Sequence, residues 1–319
     1  MGFNKSVLCY ADGDADLGLG HLYRLIAIYT NYHQKVDFVF INKNDTQEEI
    51  YNKFSCPTID FYNLRNSSEE YDIGIYDSKK CCNYNFLDIK KYARTWISID
   101  STRPWTKDFD ILVYPSFYVD KDDLPKNISA SRSKKYFGKD YVLFKSSINE
   151  IKQPKINTLV TFGGSDPNNL TELVCKIVHN RKYYSDFTFL IGPKFKKSIS
   201  YFVNKFPKLK FIDSVTNTFP LIKASNIVLT AIGITLQECE YSCKKTLIIT
   251  NHKDDIYDIS KIKRSSLNPM MYLHLGYFKD IDEDIFNKTY NFFTDKKILY
   301  NERENQWGNG WDELFNLFD

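Results

Sequence analysis

The sequence predicts an α/β fold made of two consecutive parallel-sheet halves. Three observations carry that prediction. Strand-sized apolar segments alternate with amphipathic helical ones, the pattern of a mostly parallel sheet with helices on both faces. The alternation halts over a polar stretch from Asp120 to about Lys155 and then restarts. The length, 319 residues, is room for two domains of ordinary size. In the first half the strand candidates are Val7–Tyr10, Asp37–Ile41, Ile59–Tyr62, Asp72–Tyr76, Thr95–Ile99 and Asp110–Tyr114, with helices expected over His21–Tyr32, Gln47–Lys53 and Phe86–Arg94. The polar stretch, which contains Lys134, Lys135, Gln153 and Pro154, reads as an interdomain connection. In the second half the strand candidates are Thr158–Phe162, Phe187–Gly192, Leu209–Ile212, Ile227–Thr230, Thr246–Thr250 and Met270–Leu275. Its helix candidates are Asn169–Val178, Ser198–Lys205, Phe219–Ala224, Thr235–Cys243 and Ile256–Ile262. The expected domains are therefore 1–150 and 151–319. An amphipathic segment in the tail, Trp307 to Phe318, either crosses back over the domain junction or is an ordinary surface helix. Two such halves imply a cleft, with ligands at the carboxyl ends of the strands.

Composition narrows the function. Lys+Arg is 43 and Asp+Glu 40, a net +3, which argues against a dedicated nucleic-acid binder. Seven cysteines without a C-x-x-C pair read as free thiols in a reducing cytoplasm. No apolar run is long enough for a transmembrane helix, and the first thirty residues lack a signal-peptide core. Aromatic residues reach 16%, explained by core packing, a compositional bias or an aromatic ligand face.

Three glycine-bearing turns sit at strand ends. The first runs from Asp12 through Gly18 and Gly20 into a helix at His21. Its glycines permit close approach of a ligand, and the helix start favours a negative group. The dinucleotide fingerprint is not met, because Tyr23 stands at the third glycine position. Nor is a calcium loop: position six is Leu17 and position twelve Tyr23, so no metal is expected. His21 is one of five histidines, and a helix N-terminus favours the uncharged imidazole that a general base requires; a capping or structural histidine is the alternative. The second turn, Thr161–Asn169, has Gly163 and Gly164, a cap at Ser165 or Asp166, and Pro167 near the first helical position. The third, Ala231–Glu238, offers Gly233, Ile234 and Thr235 to phosphate oxygens and Glu238 to ribose hydroxyls; alternatively, Thr235 and Glu238 form a capping box.

The order and spacing of G-x-G-H-x-x-R at Gly18–Arg24, F-G-G-x-D-P-x-N at Phe162–Asn169 and A-x-G-x-T-x-x-E at Ala231–Glu238 carry a resemblance. The chain resembles the nucleotide-sugar hydrolases of pseudaminic acid biosynthesis, relatives of the spore-coat polysaccharide protein family and of the lipid II N-acetylglucosaminyltransferase. Asp77 and Gly138–Tyr141 stand where similar family elements are expected, and the likeness spans about residues 7–280. It implies a GT-B type α/β fold, two Rossmann-like domains facing a central cleft, with the nucleotide held by the second. It also implies that His21 activates water at the anomeric carbon with inversion, releasing UDP and a free amino-deoxy sugar. Gly233, Ile234 and Thr235 would hold the diphosphate and Glu238 the ribose, while Asp12, Gly18, Gly20, Arg24, Asp77, Gly163, Gly164 and Tyr141 would face the substrate. No cofactor is implied. The expected partner is a UDP-sugar, or a CMP-sugar, in surface-glycan synthesis in the cytoplasm. The alternative is an inverting glycosyltransferase, in which His21 deprotonates a glycan acceptor. Three departures touch expected sugar contacts: the family often has Arg where Tyr10 stands, a second Asp where Ser101 follows Asp100, and an Asn-Gln pair in the region occupied by Asn251–Asp255.

Overall fold

The computed structural model describes residues 5–13, 19–78, 86–100, 108–124, 126–144, 155–215, 217–295 and 307–317. The strands are β1 (Lys5–Ala11), β2 (Val36–Asn42), β3 (Thr58–Asp60), β4 (Tyr71–Asp77), β5 (Ala93–Ile99), β6 (Ile111–Tyr114), β7 (Lys134–Phe137), β8 (Ile156–Val160), β9 (Phe187–Leu190), β10 (Lys210–Ile212), β11 (Ser225–Thr230), β12 (Lys245–Thr250) and β13 (Tyr272–Tyr277). The helices are α1 (Gly20–Tyr32), α2 (Asp45–Lys53), α3 (Phe61–Asn66), α4 (Phe86–Ile89), α5 (Lys126–Ser129), α6 (Leu170–Val178), α7 (Ile199–Lys205), α8 (Phe219–Ala224), α9 (Ile234–Tyr241), α10 (Ile256–Ser265), α11 (Glu283–Asp295) and α12 (Gly310–Asn316).

The chain divides into two compact units, Met1–Ser146 with Gln306–Asp319, and Ser147–Asn305. Each holds one parallel sheet, with strand order β3-β2-β1-β4-β5-β6-β7 in the first and β10-β9-β8-β11-β12-β13 in the second. Strands buried on both faces read as continuous apolar runs, as in Val7–Ala11 and Thr246–Ile249. Alternate residues of β1 feed different cores: Val7 and Cys9 join α1 and α12, whereas Leu8 and Tyr10 join Phe86 and Trp96. In the second unit Val160 packs with α6 and α11, and Leu159 packs with α8 and α9.

The structure corrects several element expectations. The helix expected over Phe86–Arg94 stops at Ile89; a 3₁₀ turn follows, and Ala93 already begins β5. Trp96 closes that turn by donating from Nε1 to the Lys90 carbonyl at 2.9 Å. The third strand ends at Asp60, whose carboxylate accepts the Asn63 N–H at 2.8 Å and so starts α3 at Phe61. Part of the polar stretch is not a connection: Lys134–Phe137 is an edge strand pairing with β6. Its lysines masked it, and lysine is a residue that protects exposed edges. Helix α11 was not foreseen, although Phe286, Tyr290 and Phe293 give it a buried stripe at helical spacing.

Helix α12 belongs to the first unit. Trp311 is buried and donates from Nε1 to the Tyr141 carbonyl at 2.8 Å. A Cβ added at Gly310 would lie 2.4 Å from the Tyr141 ring, so glycine is what lets the helix seat there. Trp311→Ala removes this anchor; a loss of about 3–5 kcal/mol is expected from urea denaturation.

Candidate functional site

In both sheets the strand order reverses beside the first strand, between β1 and β4 in one unit and between β8 and β11 in the other. Loops leaving these strands diverge to opposite faces, which opens a crevice at their carboxyl ends. The residues singled out by the glycine turns cluster at these two switch points.

In the first unit, Asp77 ends β4 and is fully buried. Arg24 grips it bidentately, with Nε 2.6 Å from Oδ2 and Nη2 2.6 Å from Oδ1. His21 stands three residues earlier on the same face of α1, its Nδ1 2.5 Å from Asp77 Oδ1. Arg24 Nη1 also reaches Asp100 Oδ2 at 3.4 Å. Asp100 adopts a left-handed backbone, φ 53°, where the chain turns off β5. Burial works to raise the Asp77 pKa, but the charge of Arg24 and the hydrogen bonds of His21 and Arg24 outweigh it and hold the carboxyl down at about 2. Burial likewise opposes the Arg24 charge, and Asp77 and Asp100 more than offset it, raising that pKa. Facing an ionised carboxylate, His21 Nδ1 carries the proton, an assignment made from this network. The Nε2 lone pair is then available to a substrate proton.

A second charged group adjoins the first. The Asp12 N–H donates to the Asp77 carbonyl at 3.1 Å. The buried Asp12 carboxylate accepts from Lys43 Nζ at 2.8 Å, from Ser78 Oγ, and from Tyr10 OH at 3.4 Å. Lys43 also donates to Tyr10 OH at 2.8 Å, and the Tyr10 ring stacks on Tyr76 at 4.8 Å. Gly13 lies under α1, where an added Cβ would meet Leu22 at 2.4 Å. Gly20 is the first residue of α1, behind an N-cap, Leu19, that makes no side-chain hydrogen bond.

In the second unit the Gly163–Gly164 turn follows β8, with Gly163 at φ 81°. Gly192 passes against it, and an added Cβ there would sit 2.5 Å from both loop carbonyls. Of the two candidate caps, Asp166 makes the bonds, accepting from the Leu170 and Thr171 N–H groups, each at 2.8 Å. The third turn departs from the capping-box reading of Thr235. Gly233 takes the N-cap position in an extended conformation and α9 begins at Ile234, so Thr235 lies inside the helix and forms no capping box. Glu238 instead accepts from Thr218 Oγ1 at 3.0 and 3.2 Å. The first helical N–H groups, at Ile234 and Thr235, have no acceptor within the helix.

Thus His21, Arg24, Asp77 and Asp12 stand together, and the Gly163–Gly164 and Gly233–Glu238 segments leave neighbouring strands. Tyr141 joins neither group; it is buried beside Tyr136, Gly310 and Trp311. Gly18 lies outside the described residues. Sequence reasoning missed Lys43, Ser78 and Thr218. Lys43 and Ser78 each follow a strand's carboxyl end directly, the one positional signal that could have found them.

No protein-family model matches the chain. It is 23% identical over 301 residues to the uncharacterized protein MJ1062 of Methanocaldococcus jannaschii, an alignment covering 85% of this chain and 61% of the relative. The chain thus spans about three-fifths of the length of the curated relative it matches. Among solved structures, the glycotransferase of kitacinnamycin superposes with a TM-score of 0.62 at 9% identity over 92% of each chain. MurG of Acinetobacter baumannii gives 0.58 at 8% identity over 91% of each chain. The UDP-GlcNAc 2-epimerase of Methanocaldococcus jannaschii gives 0.57 at 11% identity, covering 98% of this chain and 99% of that one. The fold is of the GT-B type.

The depressed Asp77 pKa sets a pH signature. Its pairing with Arg24 stabilises the fold fully above the ordinary carboxyl value of 3.8, and that contribution is lost as pH falls toward about 2. Asp77→Asn should cost about 3–5 kcal/mol at neutral pH, because it leaves Arg24 facing an uncharged amide. Chemical denaturation across pH should show the gap between variant and wild type closing over that acid window.

Proposed function

We propose that the protein is a nucleotide-sugar hydrolase with His21 as its general base. The observation that carries this reading is the contact of His21 Nδ1 with the ionised, buried Asp77, which directs Nε2 outward as a proton acceptor. Water attacks the anomeric carbon from the face opposite the leaving group. Its proton passes to Nε2, the bond from that carbon to the diphosphate oxygen breaks, and the electron pair leaves with the nucleotide. Inversion follows from the single displacement. Departure requires that the growing negative charge on the diphosphate be met by aligned donors. The uncapped amides at Ile234 and Thr235, behind the unobstructed Gly233, suit that task, and Glu238 suits ribose hydroxyls. The products would be UDP and a free amino-deoxy sugar in cytoplasmic surface-glycan synthesis; a CMP-sugar is the competing substrate.

The fold likeness to solved glycosyltransferases, among them a spinosyn rhamnosyltransferase complexed with spinosyn aglycone, favours a second reading. There His21 deprotonates an acceptor hydroxyl of a glycan instead of water. Both readings use the same base and differ only in the nucleophile.

The deciding experiment supplies UDP- and CMP-activated amino sugars without acceptor and follows nucleotide release and anomeric configuration by NMR. Acceptor-free release of the inverted sugar is expected. Release only after a glycan is added assigns the transferase, and no release with any sugar nucleotide, with or without a glycan, overturns both readings. His21→Ala should cost at least about 10²-fold in kcat, with thermal stability retained because Arg24 still pairs Asp77. Glu238→Ala should raise the nucleotide Kd about 10-fold by calorimetry, the loss of hydrogen bonds to a charged group; unchanged affinity would remove the ribose role from Glu238.

A further inference from the structure

The second crevice contains a residue that the reading above does not use, Gly192. It stands two residues past β9, where the chain turns toward α7. It is buried against the Gly163–Gly164 turn. A Cβ added to it would lie 2.5 Å from the Gly163 and Gly164 carbonyl oxygens and 2.6 Å from the Phe195 ring. Its φ is not in the left-handed region, so close contact, not backbone conformation, is what requires glycine here.

That contact fixes the direction of two peptide planes. The Lys194 N–H donates to the Gly164 carbonyl at 2.9 Å, and the Phe195 N–H returns to the Gly192 carbonyl at 3.3 Å. Both turn carbonyls, at 163 and 164, therefore face the loop that follows β9. No described peptide bond is cis, and in a trans peptide the N–H points opposite to the C=O. The N–H groups of Gly164 and Ser165 thus point away from β9. In the sheet β8 lies between β9 and β11, so away from β9 is toward β11 and the start of α9. Among the described residues these two N–H groups have no acceptor. A Cβ placed on Gly163 or on Gly233 would meet nothing within 4 Å, so both turns border open space.

We propose that Gly192 is a positioning residue for nucleotide binding, on the reading that the phosphates sit at the start of α9. By packing against the two carbonyls it turns the Gly164 and Ser165 amides toward the phosphate oxygens. Consecutive amides aimed to one side beside a left-handed residue, here Gly163, form an anion-binding concavity. Ser165 is buried, so its amide acts where water competes poorly. A methyl group at position 192 displaces the carbonyls and rotates those amides out of line. Its effect is confined to the anionic part of the ligand, because Gly192 touches only this turn and Phe195 among the contacts a Cβ would meet first.

Titration of the full chain with UDP by calorimetry, and with uridine by NMR, separates this role from ordinary packing. Gly192→Ala should raise the Kd for UDP about 10-fold, the loss of hydrogen bonds to a charged group. The Kd for uridine, which has no phosphate, should stay unchanged. CMP and cytidine form the same pair for the competing nucleotide. Unchanged affinity for the phosphorylated ligand overturns the proposal, and so does an equal loss for the nucleoside, which marks a general distortion. A wild type that binds neither UDP nor CMP overturns it too. Should Gly192→Ala fail to fold, the double variant Gly192→Ala with Phe195→Leu relieves the clash on the ring side and keeps the one with the carbonyls, with the same expectation for both titrations. Binding is measured without turnover, so the two readings fail separately. A wild type that binds UDP but releases no sugar removes the hydrolase alone. A working hydrolase whose Gly192→Ala variant binds UDP normally removes the role of Gly192 alone.

Discussion

A single buried carboxylate, Asp77, organises the functional end of the first unit. A fully buried aspartate is costly unless neighbouring donors and cations compensate it. Arg24 supplies that compensation bidentately, and with the charge secured the same carboxylate still accepts from His21. The backbone of Asp77 works as well, since its carbonyl takes the Asp12 N–H and ties the end of β1 to the end of β4. The three-residue spacing of His21 and Arg24 follows directly, because residues three apart on a helix share a face.

Beside it, Asp12 and Lys43 form a second buried pair, and Tyr10 links the two through its hydroxyl. Tyr10 in turn lies flat on Tyr76, with an interplanar angle of 2°. The aromatic surplus of the sequence thus has a structural home: Tyr10, Tyr76, Phe86, Trp96 and Phe109 fill one face of the first sheet. Trp96 and Tyr10 are core residues whose hydroxyl or indole N–H is spoken for, which fits the packing explanation of their abundance better than a ligand face.

Much of this was legible in the sequence. Both sheets, their parallel character and the three loops were visible because apolar runs and glycines mark strand ends locally. His21 and Arg24 were visible because their spacing lies within one helix. What escaped depends on neighbours brought together from distant parts of the chain. Lys43 acts through Asp12, thirty-one positions away, and Glu238 is held by Thr218 instead of by its own helix. The capping box at Thr235 was a correct local pattern overridden by Gly233, which starts the helix first. Strand β7 and helix α11 escaped for different reasons, one because its edge carries lysines and the other because its buried stripe is only Phe286, Tyr290 and Phe293.

The two switch points, built on the same topology, have opposite electrostatic character. In the first unit the crevice is lined by side-chain charges arranged in pairs, which suits chemistry at a proton. In the second unit the equivalent loops present glycines and helix amides, and their nearby carboxylates are already engaged. Asp166 is committed to capping α6, and Glu238 is bonded to Thr218. An anionic group approaching Gly233 meets the N–H donors at the start of α9. A nucleoside diphosphate needs that environment, and it would be repelled by a carboxylate such as Asp77 without its arginine. Under the proposed function, the division of labour between a base-bearing unit and a phosphate-holding unit follows from what each crevice presents, paired side-chain charges in one and glycines with helix amides in the other.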